Sequence, residues 1–412
     1  MHAAVPDGAE VIAYADDTMI VMGGRDWTRT LRAMEAAVAA VIYEIRKLGL
    51  TVSTEKTEAV WIHGMSENKE PPETCLGEDR IRVKPQIRYL GIILDGRLSF
   101  KPHVDYLRGK VERNVSYLSR ILPNLFGPGY RVRKLYSAVI NAMVMYGAPV
   151  WAKYIGKKGL ATLITVQRPI ALRVARAYRT TPTDMLFAIA GMVTYKWQAA
   201  AWYRIYRETK DIREAGEALT VQCKDNVRNR QFSIAMDRWK EQLKKCNIRG
   251  RPFMRAIINN WEAWVTTGPA NLTYRITQLM SGHGCFASYL KRIGARRNDR
   301  CIECMEVRDS AIHTVFVCKA FDRQKDELEV AMGERLSINS IVKAVADGKR
   351  KCKAVQKFAK DVMQEKEEND REDERNDRIR QNRKWRRKKA RKREEKKLWT
   401  KMMDDTYEME EE

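Results

Sequence analysis

The first apolar pattern in the chain is a pair of short runs on either side of two adjacent carboxylates. Residues 11–15 precede Asp16 and Asp17, and residues 18–22 follow them. Short apolar runs that a polar pair separates are typical of two strands joined by a tight turn. Because adjacent carboxylates repel each other, a divalent cation such as magnesium would stabilise them. The alternative is an ordinary hairpin with an Asp-rich turn.

The pattern then changes to helical spacing. Residues 27–48 carry apolar positions three and four residues apart, and Gly49 is placed to end that helix. Strand-like and loop-like segments follow, and they are 52–57 and 59–63 (strands), 64–79 (polar loop) and 80–95 (strand, interrupted at Pro85 and Gly91).

From residue 102 onward the chain is predicted to be mostly helical. Two apolar faces lie in 102–122 and 132–143, on either side of Pro123 and a Gly-Pro-Gly linker at 127–129. Such faces usually form core, and we interpret them so. Two or three helices are expected in 160–210, where Thr183 or Asp184 is a candidate N-cap after a break.

Three tryptophans lie in the basic stretch 211–265: Trp239, Trp261 and Trp264. Aromatic side chains among arginines and lysines can stack on nucleic-acid bases. At helical spacing they are more often core residues, and core is the preferred interpretation.

The composition narrows the class of partner. The chain has 412 residues, enough for two or three domains, and 44% of them are hydrophobic. The net charge is +24 and the isoelectric point about 9.7, which indicates a polyanionic partner, nucleic acid before membrane. No apolar run reaches the ~18 residues that a membrane span needs, and no secretion signal is visible. No membrane partner is therefore expected, and no feature specifies an oligomeric state.

One group of cysteines has the spacing of a metal site. Only one tight pair exists among the eight cysteines, and with the residues after it the pattern is C-x2-C-x8-H-x4-C. Thiolate sulfur and imidazole nitrogen are the ligands that zinc prefers in a tetrahedron. The predicted zinc ligands are Cys301, Cys304, His313 and Cys318. The alternative is unconnected thiols, and His283 and Cys285 lie nearby outside the pattern.

The last 52 positions, 361–412, are dominated by charge. Between residues 378 and 393 there are eleven arginines and lysines and no acidic residue. Segments of this composition are commonly solvated helix or disorder, or they contact phosphates or act as a nuclear-targeting patch. The candidate nucleic-acid contacts here are Arg386, Arg387, Lys388 and Lys389.

Several of these segments together resemble one protein family. The sequence Tyr-Ala-Asp-Asp at 14–17 is similar to the catalytic hairpin of reverse transcriptases. Residues 48–58 resemble the palm segment with a conserved lysine, 88–95 the primer-gripping strands and 100–104 the entry to the thumb. Their order and spacing resemble the Pol polyproteins of non-LTR retrotransposons, of the jockey-like or ribosomal-DNA-inserting type. The similarity extends from residue 8 to about residue 335.

The resemblance implies RNA-directed DNA synthesis with magnesium in the palm and zinc in the C-terminal knuckle. It implies that Asp16 and Asp17 hold magnesium and that Lys56 acts as a general acid for pyrophosphate. Primer positioning is implied for Tyr89, Leu90 and Gly91. The implied partners are an RNA template, a DNA target or primer, and deoxynucleotides. The nucleic-acid contacts expected beside the zinc are Arg296, Arg297, Arg300 and Arg308.

The expected fold is α+β. The expected divisions are a partial palm (1–98), a helical thumb (99–155), a helical region (156–290), a zinc knuckle (295–322), a further helical part (323–360) and a charged, disordered tail (361–412). A second palm-strand aspartate, the nucleotide-binding fingers and the endonuclease of such polyproteins are not found here. The chain is therefore interpreted as a C-terminal fragment or a decayed copy that is inactive alone. The alternative is a non-catalytic nucleic-acid-binding remnant, and the expected location is the nucleus after a cytoplasmic ribonucleoprotein stage.

Overall fold

The computed structural model describes residues 6–63, 73–76, 79–246, 250–306 and 308–408. The chain forms two compact units. The first contains Met1–Arg120, Leu135–Ile170 and Val193–Trp239, and the second contains Ile121–Lys134, Ala171–Met192 and Lys240–Glu412. Helices predominate beside a few short strands, so the predicted α+β class is confirmed. In this described part, every helix is too short or too polar to cross a lipid bilayer.

The strands lie in the first hundred residues. They are β1 (Ala9–Tyr14), β2 (Asp17–Met22), β3 (Ala59–Val60), β4 (Glu73–Leu76), β5 (Asp79–Lys84), β6 (Gln86–Tyr89) and β7 (Ile92–Asp95). The helices of the first half are α1 (Trp27–Lys47), α2 (Lys101–Ile121), α3 (Tyr130–Met145), α4 (Ala148–Trp151), α5 (Lys157–Ala175), α6 (Thr183–Ala190) and α7 (Tyr195–Glu214). The later helices are α8 (Val221–Lys245), α9 (Pro252–Asn259), α10 (Trp261–Thr267), α11 (Tyr274–Ser281), α12 (Ala287–Arg292), α13 (Asp322–Met332), α14 (Ile338–Asp347) and α15 (Arg350–Glu408).

The predicted first hairpin and the helix after it are both present. β1 pairs antiparallel with β2, from Ala9 opposite Met22 to Tyr14 opposite Asp17. A two-stranded hairpin is marginally stable alone, and here β2 packs against α1. At the start of α1, Asp26 accepts a hydrogen bond from the Arg29 amide at 2.7 Å.

The strands form three small sheets, with the orders β1-β2, β3-β5-β4 and β6-β7. Two local predictions are wrong. Residues 52–57 contain a turn rather than a strand, closed by a hydrogen bond from the Thr57 amide to the Thr54 carbonyl. β4 lies inside the predicted loop 64–79, because its backbone pairs antiparallel with β5, a long-range contact that composition does not encode. Residues 64–72 of that loop lie outside the described residues.

A buried carboxylate connects the last strand to α2. Asp95 accepts hydrogen bonds from the Ser99 amide at 3.2 Å, the Ser99 hydroxyl at 2.9 Å and the Phe100 amide at 2.8 Å. In the first turn of α2, His103 is buried, and burial lowers its pKa to about 4. Its Nδ1 accepts from the Ile93 amide at 3.4 Å, so the neutral imidazole is the form this junction uses. The junction fixes the direction in which α2 begins.

The second unit has a helical core around α14. This helix packs against α9, α10 and α15, and α11 also packs against α15. Trp261 and Trp264 are almost fully buried here, and Trp239 is equally buried in the first unit. These side chains are core residues, as preferred, and cannot stack on bases. The prediction that Thr183 or Asp184 caps α6 is wrong, since Pro182 occupies the N-cap position without a side-chain cap.

The tail that was predicted to be disordered, 361–412, is helical as far as residue 408. α15 continues as a helix through Glu408. Its first turns are anchored by the buried residues Cys352, Val355, Phe358 and Val362. Beyond them the sequence is rich in Glu, Arg and Lys, which have high helix propensity and can pair with an opposite charge four residues away. An anchored start removes the nucleation cost that an isolated charged segment would carry.

We predict that Trp264→Ala destabilises the second unit by about 3–5 kcal/mol, because it leaves a large cavity in a close-packed core. It also leaves the Ala188 carbonyl without the indole donor that lies at 2.9 Å. Chemical denaturation followed by circular dichroism measures the change. Trp385→Ala is the matched control, since Trp385 is exposed on α15. Equal stability of the two variants would contradict the assignment of Trp264 to the core.

Candidate metal centre

The four predicted zinc ligands lie together in the second unit. The Sγ atoms of Cys301, Cys304 and Cys318 and a ring nitrogen of His313 all lie within 4.8 Å of one another. Cys301 Sγ is 3.9 Å from Cys318 Sγ, and Cys304 Sγ is 3.2 Å from His313 Nε2. In the described part of the chain this is the one group of three or more Cys, His, Asp or Glu side chains arranged to hold a metal.

These distances fit a tetrahedral zinc site. A tetrahedron with Zn–S distances of about 2.3 Å has edges of about 3.8 Å, close to the observed separations. All four ligands come from the protein, so no coordination position is left for a substrate, which is typical of a structural rather than a catalytic zinc. The residues present therefore fit zinc and a role in folding.

The first two ligands are held by a tight loop. Residues 302–304 form a turn, and the Cys301 amide donates a hydrogen bond to the Glu306 carbonyl at 2.9 Å. Met305 and Arg308 have positive φ angles, of 65° and 77°. Backbone of this kind is costly for residues other than glycine and persists where the surroundings hold it in place.

The other two ligands come from a wide helical turn. His313–Val317 forms a π-helical turn, and the Cys318 amide donates to the His313 carbonyl at 2.8 Å. A π-helical turn closes over five residues, so His313 and Cys318, five apart, lie on the same side.

Three buried charged side chains lie next to this centre. Lys366 of α15 contacts Glu303 Oε2 at 2.9 Å and both oxygens of Asp309 at 3.1 Å. The side chains of all three are at most 2% exposed. Glu303 Oε2 also accepts from Cys301 Sγ at 2.9 Å, so Lys366 reaches the metal site through one intervening carboxylate.

Asp309 links this charge cluster to the start of α12. Its Oδ2 accepts from the Ala287 amide at 2.8 Å, its Oδ1 from the Thr314 hydroxyl at 3.2 Å, and its carbonyl from the Ser288 amide at 2.9 Å. Ala287 and Ser288 begin α12. One carboxylate thus joins the start of α12, the metal-binding loop and α15.

The electrostatics explain why a cation is needed at this position. Burial alone lowers the pKa of Lys366, but attraction by Asp309 and Glu303 outweighs it, so the net effect raises the pKa and keeps the ammonium charged. Burial raises the pKa of the Cys301 and Cys318 thiols. Zinc bound by three thiolates and a neutral imidazole leaves one excess negative charge. Lys366 offsets part of that charge and of the two buried carboxylates.

Lys366, Glu303 and Asp309 were not predicted from the sequence. A signal existed, because Lys366 follows Val355, Ala359 and Val362 at spacings of three and four on the buried face of α15. A lysine in phase with a buried face needs a partner carboxylate. The sequence cannot name that partner, since Lys366 and Asp309 are 57 residues apart.

The four arginines predicted beside the zinc differ in their surroundings. Arg297, Arg300 and Arg308 are exposed. Arg296 is mostly buried and forms ion pairs with two acids of α15, with Asp370 at 3.5 Å and also with Asp373. Arg296 is therefore engaged within the protein, whereas the other three remain candidates for phosphate contact.

The predicted magnesium ligands lie at the tip of the first hairpin, as expected. Asp16 is in the two-residue turn and Asp17 opens β2, and both are exposed. Ala15 in this turn has a φ of 52°. In the described residues no third Cys, His, Asp or Glu side chain joins them in a metal-binding group. Lys56 lies in the exposed turn that replaced a predicted strand.

The residues predicted to position a primer form a second hairpin tip. Tyr89 pairs with Ile92, and Leu90 and Gly91 make the two-residue turn with φ angles of 44° and 81°. Two positive φ angles are characteristic of a type I′ turn, which fits the twist of the strands. The Tyr146 hydroxyl donates to the Leu90 carbonyl at 3.0 Å, so an aromatic side chain supports the turn.

Two further predictions concern residues outside these sites. His283 Nδ1 lies 2.7 Å from the Ser281 carbonyl, and Cys285 is buried near the Met363 carbonyl, so neither joins the metal cluster. On α15, Lys388 and Lys389 are exposed, and Lys389 lies over the Trp385 ring at 4.8 Å. The side chains of Arg386 and Arg387 lie outside the described side chains.

Comparison with known proteins shows several relatives. The chain is 24% identical over 338 residues to a retrovirus-related Pol polyprotein from type-1 retrotransposable element R1 of Bradysia coprophila, covering 79% of this chain and 33% of that protein. A corresponding R1 4 polyprotein of Nasonia vitripennis is 24% identical over 342 residues, covering 76% of this chain and 85% of that protein. A 115 kDa protein in element R1DM of Drosophila melanogaster is 25% identical over 370 residues, 86% of this chain and 35% of that protein.

These relatives confirm the predicted relation to Pol polyproteins of non-LTR retrotransposons. The chain spans about a third of the length of the Bradysia and Drosophila relatives. No family model and no solved structure matches the chain.

We predict one zinc ion per chain, lost when Cys301, Cys304, His313 or Cys318 is replaced singly by serine or, for the histidine, by alanine. Structural zinc contributes on the order of 10 kcal/mol of apparent binding free energy at neutral pH, so the loop should loosen without it. Elemental analysis of each purified variant measures the metal content. Cys285→Ser is the matched control. A zinc-free wild type, or loss of zinc from Cys285→Ser with retention in Cys318→Ser, would refute the assignment.

We predict that Lys366→Met destabilises the second unit by about 3–5 kcal/mol, because it leaves two buried carboxylates without their cation. Zinc affinity should fall in the same variant, since the excess negative charge at the centre is no longer offset. Denaturation curves and competition with a chelator measure the two effects. Lys360→Met, at an exposed position of the same helix, is the control. Unchanged zinc affinity in Lys366→Met would separate Lys366 from the metal site.

Proposed function

We propose that this chain is part of the RNA-directed DNA polymerase of a non-LTR retrotransposon, and that its own contribution is to hold nucleic acid. The observation that carries the proposal is the Cys3His centre, whose four ligand atoms lie within 4.8 Å in a chain related to Pol polyproteins. A net charge of +24 supports a polyanionic partner. The proposed partners are an RNA template and a DNA target or primer, and the proposed location is the nucleus.

The zinc would act by fixing exposed cations in place. Arg300 directly precedes the first ligand and Arg308 lies in the loop between the second and third. A long charged side chain contacts phosphate at little entropic cost only if its backbone is fixed, and the metal supplies that restraint. Arg297 is exposed in the same segment. The proposed contact is electrostatic and therefore independent of base sequence.

For catalysis, the proposal assigns Asp16 and Asp17 to the magnesium site of the intact polyprotein. Support comes from their exposed position at a turn tip and from the sequence resemblance. The described residues bring two carboxylates there, which is fewer ligands than a two-metal site uses. The proposal likewise assigns Lys56 to the intact polyprotein, as the general acid for pyrophosphate.

A second function, nucleic-acid binding without catalysis, is favoured by this incomplete ligand set. The two functions differ in one measurement, which is primer extension by the intact polyprotein. Binding is common to both, whereas extension of a primer requires the polymerase chemistry. Tyr89, Leu90 and Gly91 would position a primer in the first case and have no partner of that kind in the second.

We predict that the purified 412-residue chain binds single-stranded RNA and DNA but does not extend a primer on an RNA template with magnesium and deoxynucleotides. Binding should weaken steeply with salt, because phosphate contacts release counterions. Fluorescence anisotropy from low to high salt measures binding, and gel analysis of a labelled primer measures extension. Primer extension that Asp16→Asn abolishes would contradict the non-catalytic alternative, and absence of any binding would contradict both functions.

A further inference from the structure

An exposed apolar tip lies in the loop 122–129, between the end of α2 and the start of α3 in the second unit. Phe126 at the tip is fully exposed, at 103% of its reference area, and Leu125 beside it is 44% exposed. Phe126 also has a φ of 55°, in the left-handed region that phenylalanine rarely adopts. A large aromatic side chain is thus held in solvent by an unfavourable backbone conformation.

A buried arginine holds the base of this loop. Arg133 is 1% exposed, and its guanidinium donates to the Pro128 carbonyl at 2.9 Å, the Arg173 carbonyl at 2.6 Å and the Pro123 carbonyl. Pro123 and Pro128 lie at the two ends of the loop, and Arg173 lies in α5. Because the planar guanidinium presents its donors in a fixed arrangement, it fixes both ends together.

A second arginine and a glycine complete the support. Arg176 donates to the Asn124 carbonyl at 3.3 Å and to the Pro128 carbonyl at 3.0 Å, and the side-chain Nδ2 of Asn124 donates to the Ala177 carbonyl at 3.2 Å. A Cβ at Gly127 would lie 2.3 Å from the Pro123 carbonyl oxygen, so a larger residue does not fit there. These hydrogen bonds therefore hold the loop rigidly below the exposed Phe126.

The sequence on both sides of this loop is strongly basic. From Arg113 to Thr183 the sequence contains eight arginines and four lysines and no aspartate or glutamate. Six of these cations belong to the second unit, and they are Arg131, Arg133, Lys134, Arg173, Arg176 and Arg179. Burial lowers the pKa of Arg133 to about 10, and repulsion by Arg176 and Arg173 contributes. An anion near the loop would relieve that repulsion.

These two features define one class of ligand. The exposed cations Arg131 and Lys134 favour a polyanion, and the exposed Phe126 ring offers a flat apolar face. A single-stranded nucleic acid has both complementary parts, because its phosphates carry charge while its unpaired bases expose their faces for stacking. An acidic protein would satisfy the cations and leave the ring without a flat partner. A duplex keeps its base faces stacked on each other.

We propose that Phe126 stacks on an unpaired base of a single-stranded nucleic acid, whose phosphates contact the cations of α3 next to the loop. Arg131 and Lys134, both exposed on the first turns of α3, are in position for those phosphates. This site deepens the proposed nucleic-acid-binding function and rests on it. It is separate from the metal centre, because none of its residues is a zinc ligand or a member of the Lys366 cluster.

The test uses the full chain and a single-stranded 16-nucleotide DNA with 2-aminopurine at a central position. Stacking on an aromatic ring quenches 2-aminopurine fluorescence, so quenching on binding reports the contact. Phe126→Ala should weaken binding about tenfold and lose most of the quenching, whereas Phe126→Trp should retain both. Phe126 is exposed, so these replacements remove no core contact.

Two controls separate stacking from charge and from general loss of apolar surface. Val330→Ala, at an 84% exposed position of α13, should bind and quench as wild type does. Arg131→Gln should weaken binding and reduce its salt dependence, while quenching at saturation is kept. The same oligonucleotide in a duplex should show little quenching with any variant.

The outcomes also distinguish this site from the proposed function. Wild-type binding that Phe126→Ala leaves unchanged in affinity and quenching would overturn the stacking site and leave nucleic-acid binding in place. No binding of either probe by wild type would overturn both. Equal quenching of the duplex and the single strand would show that the ligand is not an unpaired base. A loss confined to protein or vesicle binding in Phe126→Ala would assign the tip to another partner and reject this one.

Discussion

The buried ion cluster of Lys366, Asp309 and Glu303 is the constraint around which the C-terminal half of the second unit is arranged. Three charged groups at most 2% exposed are tolerated only when their charges and hydrogen bonds are satisfied together. That requirement fixes α15 against the metal-binding loop and the loop against α12. These contacts hold the backbone that carries the four predicted zinc ligands, whose ligand atoms lie within 4.8 Å of one another.

The same cluster relates the metal centre to the long helix. On α15, Asp370 and Asp373 follow Lys366 at spacings of four and seven residues. Both form ion pairs with Arg296, which lies five residues before Cys301. α15 therefore leaves the metal centre in a fixed direction and carries the exposed Lys388 and Lys389 farther along it. The metal centre and α15 are therefore joined by ion pairs at Glu303 and Arg296.

In the first unit, two short hairpins carry the residues of the predicted catalytic and primer-positioning sites at their turns. Asp16 and Asp17 lie at one tip and Leu90 and Gly91 at another, and each turn has at least one positive φ angle. Ala15 and Leu90 pay a conformational cost that glycine would avoid. Strain of this kind is common at functional sites, and here it coincides with the two positions that the sequence resemblance assigned to catalysis and to primer contact.

The sequence by itself determined the helices within 27–48, 102–122 and 132–143, the first hairpin and the candidate metal ligands, because each depends on local spacing. The apolar period of α1, the Gly49 stop and the C-x2-C-x8-H-x4-C pattern are all read within a few turns of chain. Tertiary structure decided β4, whose partner is β5, and the helical state of the charged tail, whose start is anchored by packing. It also decided that Arg296 is paired and that Lys366 meets Asp309 across 57 residues. Such contacts depend on which distant elements fold together, and no local pattern encodes that.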